Sequence, residues 1–302
     1  MGKTTTAINM AACLAERRKE VLLVDLDPQA NATSGLGLKK EPGHSLYAAL
    51  LGDAQALDLI QDTEMEHLKL IPSEIDLAGA ELDIARGEHY LHRLKRTLVP
   101  VVDSGRFHFV FLDCSPSLGI LTMNVLAAAD SIIIPLQCEY FALEGLSVMS
   151  RVIRQLRDSG TNPGLDIEGI VMTMYDARTN LAQQVVEEVI KHYGDKVYET
   201  LIPRTIRLSE APSFGKPIIK YNSSNTGAAA YRQLSKEFLE RRREPAESEH
   251  AASLRSALSA VTPRMPPAAP TLTSPAASAV APVVPADTDA KSVMAATEEE
   301  PS

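Results

Sequence analysis

No stretch of this 302-residue sequence approaches the roughly 20 apolar residues that a membrane-spanning helix needs. Its first residues also lack the basic, apolar and small-residue order of a secretory signal. Both absences point to a soluble protein that is not exported. Cysteine is scarce: Cys13, Cys114 and Cys138 form no C-x-x-C pair and no zinc-ligand spacing, so neither a disulfide framework nor a structural zinc is indicated. A reducing cytoplasm is the expected compartment. Tryptophan is absent throughout, and from Glu244 onward phenylalanine and tyrosine are absent too. That segment holds nine of the chain's 19 prolines and is rich in Ala and Ser. It has too little apolar surface to offset the entropy of ordering it, so residues 244–302 read as a disordered tail, with a transient helix around Ala251–Ala260. No internal repeat is visible.

Residues 1–243 then form one domain. Short apolar or β-branched runs at Val21–Asp25, Leu68–Pro72, Phe109–Asp113, Ser131–Leu136, Ile167–Met174 and Val197–Ile202 predict strands. Helical patterns fall between them, near Thr4–Glu16, His89–Leu98, Leu118–Ala129, Leu143–Arg157, Leu181–Tyr193 and Ala228–Glu240. This alternation, with near-continuous apolar strands, predicts an α/β fold: a doubly wound, mainly parallel sheet with helices on both faces. The formal charge of −9 speaks against nucleic acid only superficially, because residues 201–243 carry nine basic and three acidic side chains.

Three pieces carry chemistry. Gly2-Lys3-Thr4-Thr5-Thr6 runs straight into a helical pattern and matches the last half of a phosphate-binding loop. In such a loop Lys3 reaches the β- and γ-phosphates and the Thr4 hydroxyl binds Mg²⁺. Taken alone, the fragment reads equally as a charged, frayed terminus. The second piece is Val21–Leu26 followed by Asp27-Pro28-Gln29, where Asp25 and Asp27 share one side of an extended chain. A carboxylate there orients water or holds Mg²⁺ through its shell; the alternative is a pair of solvated turn residues. The third, Phe109-Val110-Phe111-Leu112-Asp113, is the Walker B pattern of four apolar residues and a Mg²⁺-binding Asp.

In that order, and with Pro135-Leu136-Gln137-Cys138-Glu139-Tyr140, Asp176-Ala177-Arg178-Thr179-Asn180 and Ile202-Pro203-Arg204-Thr205-Ile206-Arg207 further on, residues 2–240 resemble the ParA (Soj) family of chromosome-partitioning ATPases. The resemblance implies a P-loop NTPase that binds ATP and Mg²⁺ and closes into a sandwich homodimer. That dimer binds double-stranded DNA without sequence preference on the nucleoid, and a ParB-type partner stimulates hydrolysis and release, with no membrane involved. Mapped by motif, Lys3 and Asp27 are the catalytic pair. Gly2, Lys3, Thr4, Thr5, Asp113 and Pro203 bind nucleotide, and Thr4, Asp27 and Asp113 serve Mg²⁺, partly through water. Arg178 and Arg207 match DNA-contacting positions, and Lys216, Lys220, Arg232 and Lys236 join them from the basic segment.

The family loop reads Lys-Gly-Gly-Val-Gly-Lys-Thr-Thr, and Met1 stands at its Val. The resemblance therefore implies a further strand, a lysine and two glycines upstream of Met1, with a misassigned start as the expected cause. Three rival functions stay open. A MinD-like membrane ATPase shares the loop, but residues after Arg243 offer no bulky apolar face for an amphipathic anchor. An iron–sulfur ATPase like the nitrogenase iron protein would use Cys114 and Cys138, which sit in ordinary motifs here. A nucleotide-dead DNA-binding relative is the third. Whether the cargo is a chromosome or a plasmid is not written in the residues.

Overall fold

The structure, a computed structural model, describes residues 2–140 and 142–243; the tail read from the sequence lies outside them. The chain begins with α1 (Lys3–Glu16) and β1 (Val21–Leu26), followed by two short helices, α2 (Asn31–Gly35) and α3 (Leu46–Leu51). A hairpin of β2 (Gln61–Asp62) and β3 (Leu68–Ile71) leads to α4 (Leu77–Ala85) and α5 (Arg93–Asp103). Then come β4 (Phe109–Cys114), α6 (Ile120–Ala128), β5 (Ser131–Gln137), α7 (Ala142–Asp158), β6 (Asp166–Thr173) and α8 (Asn180–Tyr193). Short helices α9 (Ile206–Glu210) and α10 (Ile218–Tyr221) precede α11 (Thr226–Arg243).

β1 shows why the fold is doubly wound. All six of its residues are buried. Successive side chains point to opposite faces, and accordingly Val21 and Leu23 pack with α1 and α11, whereas Leu22, Val24 and Leu26 pack with α3, α4, α5 and α6. α1 is the best-anchored helix. Its Thr6 hydroxyl meets the Tyr231 hydroxyl at 3.2 Å, Asn9 Oδ1 accepts the Ile218 N–H at 2.8 Å, and Arg17 Nε donates to Ser235 Oγ at 3.1 Å. One further close approach fixes the segment after β1. A side chain on Gly215, whose φ is +63°, would meet Gly37 Cα at 2.7 Å, so the backbone after α2 lies directly on the segment that follows α9.

The sheet is in two halves. One has the order β2-β3-β1-β4, parallel except for the β2 edge; the other is the parallel pair β5-β6. Among the described residues β4 and β5 do not pair with each other. Between them lies a slot, a cavity of about 1070 Å³ lined by residues of both strands, with Lys3, Thr6 and Met10 of α1 alongside. Their packing registers it: β4 and β5 are mostly half-buried, where a central strand of a parallel sheet is normally covered on both faces.

Arg242, near the end of α11, spans the foot of the slot. It donates to Glu168 Oε2 at 2.7 Å and Ser131 Oγ at 3.1 Å, and its guanidinium lies over the Phe238 ring at 4.9 Å and the Phe109 ring at 5.7 Å. It thus touches β4, β5 and β6 at once. Burial alone would raise the Glu168 pKa, but hydrogen bonds from Arg242 and Ser131 hold it below the ordinary value. A depressed carboxylate contributes stability above its unfolded pKa and loses it as pH falls through the folded one. Because Arg242 is half-exposed, Arg242→Ala is expected to cost only about 1 kcal/mol in urea unfolding near neutrality. The gap from the parent protein should close below about pH 4, near the carboxylate reference value. An unchanged gap at low pH would mean the loss comes from ring packing and not from the ion pair.

Most of the expected elements match to within about three residues, with two differences. Val197–Ile202 is not a strand; only Val197 and Pro203 form bridges, to Ile170 and Tyr175. The physical reason is Glu237, whose carboxylate accepts the Glu199 and Thr200 N–H groups at 2.8 and 3.1 Å and pulls those two residues out of the ladder, while the Tyr198 and Ile202 N–H groups still bond the Ile170 and Met172 carbonyls of β6 at 2.9 Å. The helix expected over His89–Leu98 instead begins as a 3-10 turn at Tyr90–His92 and continues as α5 through Asp103. Beyond these, β2, α2, α3, α4, α9 and α10 fall in stretches to which the sequence pattern assigned no element.

Candidate functional site

The site forms at the carboxyl ends of β1 and β4, where crevices of open α/β sheets collect ligands. Gly2 caps α1 with φ +90°, a left-handed conformation that costs glycine little, and it lies beside Thr173 at the end of β6. The first N–H to close within α1 is Thr6 onto the Gly2 carbonyl at 2.8 Å. The N–H groups of Lys3, Thr4 and Thr5 therefore precede the helical ladder and sit at its positive end, an arrangement suited to an anion.

Opposite them are three carboxylates. Parallel register places Asp25 level with Asp113, and Asp27 follows two residues on. Asp25 is fully buried, Asp113 is 3% exposed and Asp27 6%. Asp25 is consumed by the fold: its Oδ2 accepts the Thr33 N–H at 2.8 Å and the Thr33 hydroxyl at 2.7 Å, and its Oδ1 accepts the Asp27 N–H at 3.2 Å. Burial nevertheless pushes its pKa up. Asp113 is different, because its Oδ2 is buried without a hydrogen-bond partner. Burial, then repulsion from Asp25, pushes its carboxyl up to about 7, while the Thr4 side chain and Lys3 pull the other way.

A buried carboxylate oxygen without a partner, crowded by two more carboxylates and answered by one lysine, calls for further positive charge. Mg²⁺ fits: it typically binds one or two carboxylates together with phosphate oxygens, and a hydroxyl such as that of Thr4 completes the set. The remaining motif residue, Pro203, is half-buried and bridges to Tyr175. Burial raises the thiols of Cys13 to about 12 and of Cys114 and Cys138 to about 11, so none of them is a reactive thiolate at neutral pH.

The basic residues do not gather into one patch. Arg178, in the turn before α8, and Arg207, in α9, stand on neighbouring segments, joined where the Arg204 N–H donates to the Tyr175 carbonyl at 3.0 Å. Both are exposed, with Arg178 Nη2 at 2.6 Å from Asp176 and Arg207 Nη1 at 2.7 Å from Glu210. Arg232 is held elsewhere, forked onto both oxygens of Glu16 at the end of α1. Lys220 lines a small pocket beside the same Glu16. Lys216 lies 4.0 Å from Glu64, and Lys236 pairs with Glu240 at 3.7 Å. Sequence reasoning missed the Thr33 and Ser73 contacts to the Asp25–Asp27 turn, which no local pattern marks.

A glycine-capped helix start bearing Lys-Thr, set against strand-end carboxylates in a parallel sheet, defines a P-loop nucleotide-binding NTPase of the ParA/MinD-like fold. A family model described as "AAA domain" matches residues 1–167. The sporulation initiation inhibitor protein Soj of Bacillus subtilis is 52% identical over 238 residues, 78% of this chain and 93% of that protein. The chromosome partitioning protein ParA of Myxococcus xanthus is 48% identical over 80% of this chain and 84% of its own length. Among solved structures, a cobyrinic acid a,c-diamide synthase from Mycobacterium smegmatis with bound ADP and magnesium superposes with a TM-score of 0.69 at 36% identity, covering 80% of this chain and 90% of that one. The chain belongs to the ParA/Soj family of chromosome-partitioning ATPases.

Proposed function

We propose that the chain binds and hydrolyses Mg²⁺-ATP to switch a DNA-bound homodimer, and that a ParB-type partner triggers its release from the nucleoid. The observation that carries the nucleotide half is the unpartnered Asp113 oxygen facing the start of α1. Gly2, Lys3, Thr4 and Thr5 hold the phosphates through their N–H groups, the lysine charge and the hydroxyls. Asp113 and Thr4 hold Mg²⁺, whose chemistry is to neutralise charge on the phosphates. Asp27 orients the attacking water, with its Oδ1 already fixed by the Gln29 N–H at 3.0 Å. Pro203 walls the adenine side. Isothermal titration of Mg²⁺-ATP against the parent and Asp113→Ala tests the assignment: the variant should lose the Mg²⁺-dependent part of the affinity, and equal affinities would defeat it.

For DNA, Arg178 and Arg207 are the residues that geometry favours, being exposed on neighbouring segments, the turn before α8 and helix α9. Arg232 contributes instead to holding α11 on α1. Phosphate contacts carry affinity without sequence information, so binding should be alike on unrelated duplexes and fall steeply with salt. Each lost phosphate contact should flatten the log–log salt slope by about 0.9. Arg178→Glu and Arg207→Glu are expected to release DNA while ATP affinity holds. Retention should require ATP, since pairing two subunits on one duplex raises effective concentration. Equal retention with ADP and ATP in a salt titration would refute the switch, and retention untouched by both substitutions would refute the assignment.

A further inference from the structure

The turn that carries Asp27 is short, polar and buried, and its conformation is not held by regular secondary structure. Ala30, just after it, has φ +51°, a left-handed conformation that alanine adopts only when its surroundings impose it. What imposes it is a closed set of hydrogen bonds. The Thr33 hydroxyl donates to Asp25 Oδ2 at 2.7 Å and accepts the Ser73 N–H at 2.9 Å. The Ser73 hydroxyl then donates to the Asp27 carbonyl at 2.7 Å, which also accepts the Ala30 N–H at 2.8 Å. Asp25 Oδ1 accepts the Asp27 N–H at 3.2 Å and closes the ring. Asp25 and Thr33 are fully buried and Ser73 is 1% exposed, so water does not substitute for any member.

We infer that Thr33 and Ser73, acting with Asp25, are positioning residues that lock the backbone of Asp27 from both its N–H and its carbonyl side. The inference rests on Asp27 orienting the attacking water. Neither hydroxyl touches nucleotide in this scheme; each acts through the turn. The ring joins three separate pieces of chain, namely the end of β1, helix α2 and the residue pair after β3, so the carboxylate is referenced to the sheet and not to a free loop. A catalytic group set about 1 Å out of place loses on the order of 100-fold in rate. Substrate affinity is spared because the phosphates are held by α1.

The first test needs no nucleotide. In amide hydrogen exchange on the full chain, Thr33→Val keeps the side-chain shape but leaves the Ser73 N–H without its acceptor, and Ser73→Ala removes only the bond to the Asp27 carbonyl. Both should speed exchange across 27–34 by roughly 10-fold or more while β6 and α8 keep their protection. Thr33→Ser, which retains the hydroxyl, should restore it. In the second test, turnover at saturating Mg²⁺-ATP should fall roughly 10- to 100-fold in Thr33→Val and Ser73→Ala with KM within about 3-fold, and Thr33→Ser should recover. Unchanged exchange over 27–34, or loss of protection spread equally over β6 and α8, would overturn the positioning role. So would intact turnover in both variants beside an inactive Asp27→Ala. If Asp27→Ala itself turns over normally, the underlying reading of Asp27 falls, and this inference with it.

Discussion

Extending the chain upstream of Gly2 by an apolar strand of about six residues ending in Lys-Gly-Gly-Val, in place of Met1, is expected to tighten Mg²⁺-ATP binding by about 100- to 10,000-fold. The reasoning begins with the slot. β4 and β5 run parallel to their own partners and leave their facing edges apart, and the start of α1 sits at the carboxyl end of the opening. A strand entering parallel to both would finish where Gly2 begins. The glycines after it add backbone N–H groups around the phosphates, and hydrogen bonds to a charged group contribute about 1.5–3 kcal/mol each, so two of them account for most of the range. Titration calorimetry on the two forms decides it. Tight and equal binding by the 302-residue chain would show that the α1 terminus suffices alone.

The second large effect separates binding from turnover. Lys3→Ala removes the one cation that Asp113 feels in this cluster and the one aimed at phosphate, so binding should drop below detection at millimolar nucleotide, a loss of about 3 kcal/mol or more. Asp27→Ala should leave affinity within about 3-fold and reduce turnover by about 100-fold or more, because orienting water matters in the transition state and not in the ground state. The Asp27 variant should then accumulate as an ATP-bound dimer on DNA. Wild-type turnover by that variant, measured as phosphate release in a single cycle, would remove Asp27 from the mechanism.

The sequence showed the motif residues clearly because their neighbours are regular: apolar runs ahead of Asp25 and Asp113 mark buried strands, and Gly2 with Lys3 and Thr4 marks a helix start. The doubly wound sheet followed from the same alternation. Less legible was everything fixed by distant partners. Ser73 reaches the Asp27 turn across 46 positions of chain, and no local pattern encodes that contact. Val197–Ile202 has strand composition, yet Glu237 on α11 captures two of its N–H groups. Charge counting weighs Arg232 without its neighbours, and its fork onto Glu16, 216 positions away in sequence, is another contact that no local pattern encodes. α4 was missed because its buried residues, Leu77, Ala80 and Ile84, give too thin an apolar stripe.

The parted sheet also bears on how this polypeptide behaves in company. Two strands with apolar faces, one Phe-Val-Phe-Leu and the other Ile-Ile-Ile, present facing rows of backbone donors and acceptors that no neighbour in the described chain takes up. Such edges are templates for adding a foreign strand, and natural sheets protect them with charge, proline or a cover. Here Pro135 within β5 and the Arg242 clasp at the foot of the opening are the local safeguards. Facing edges of this kind are where a further strand from any source would dock in register, and its arrival would turn the same residues into the quiet centre of the sheet.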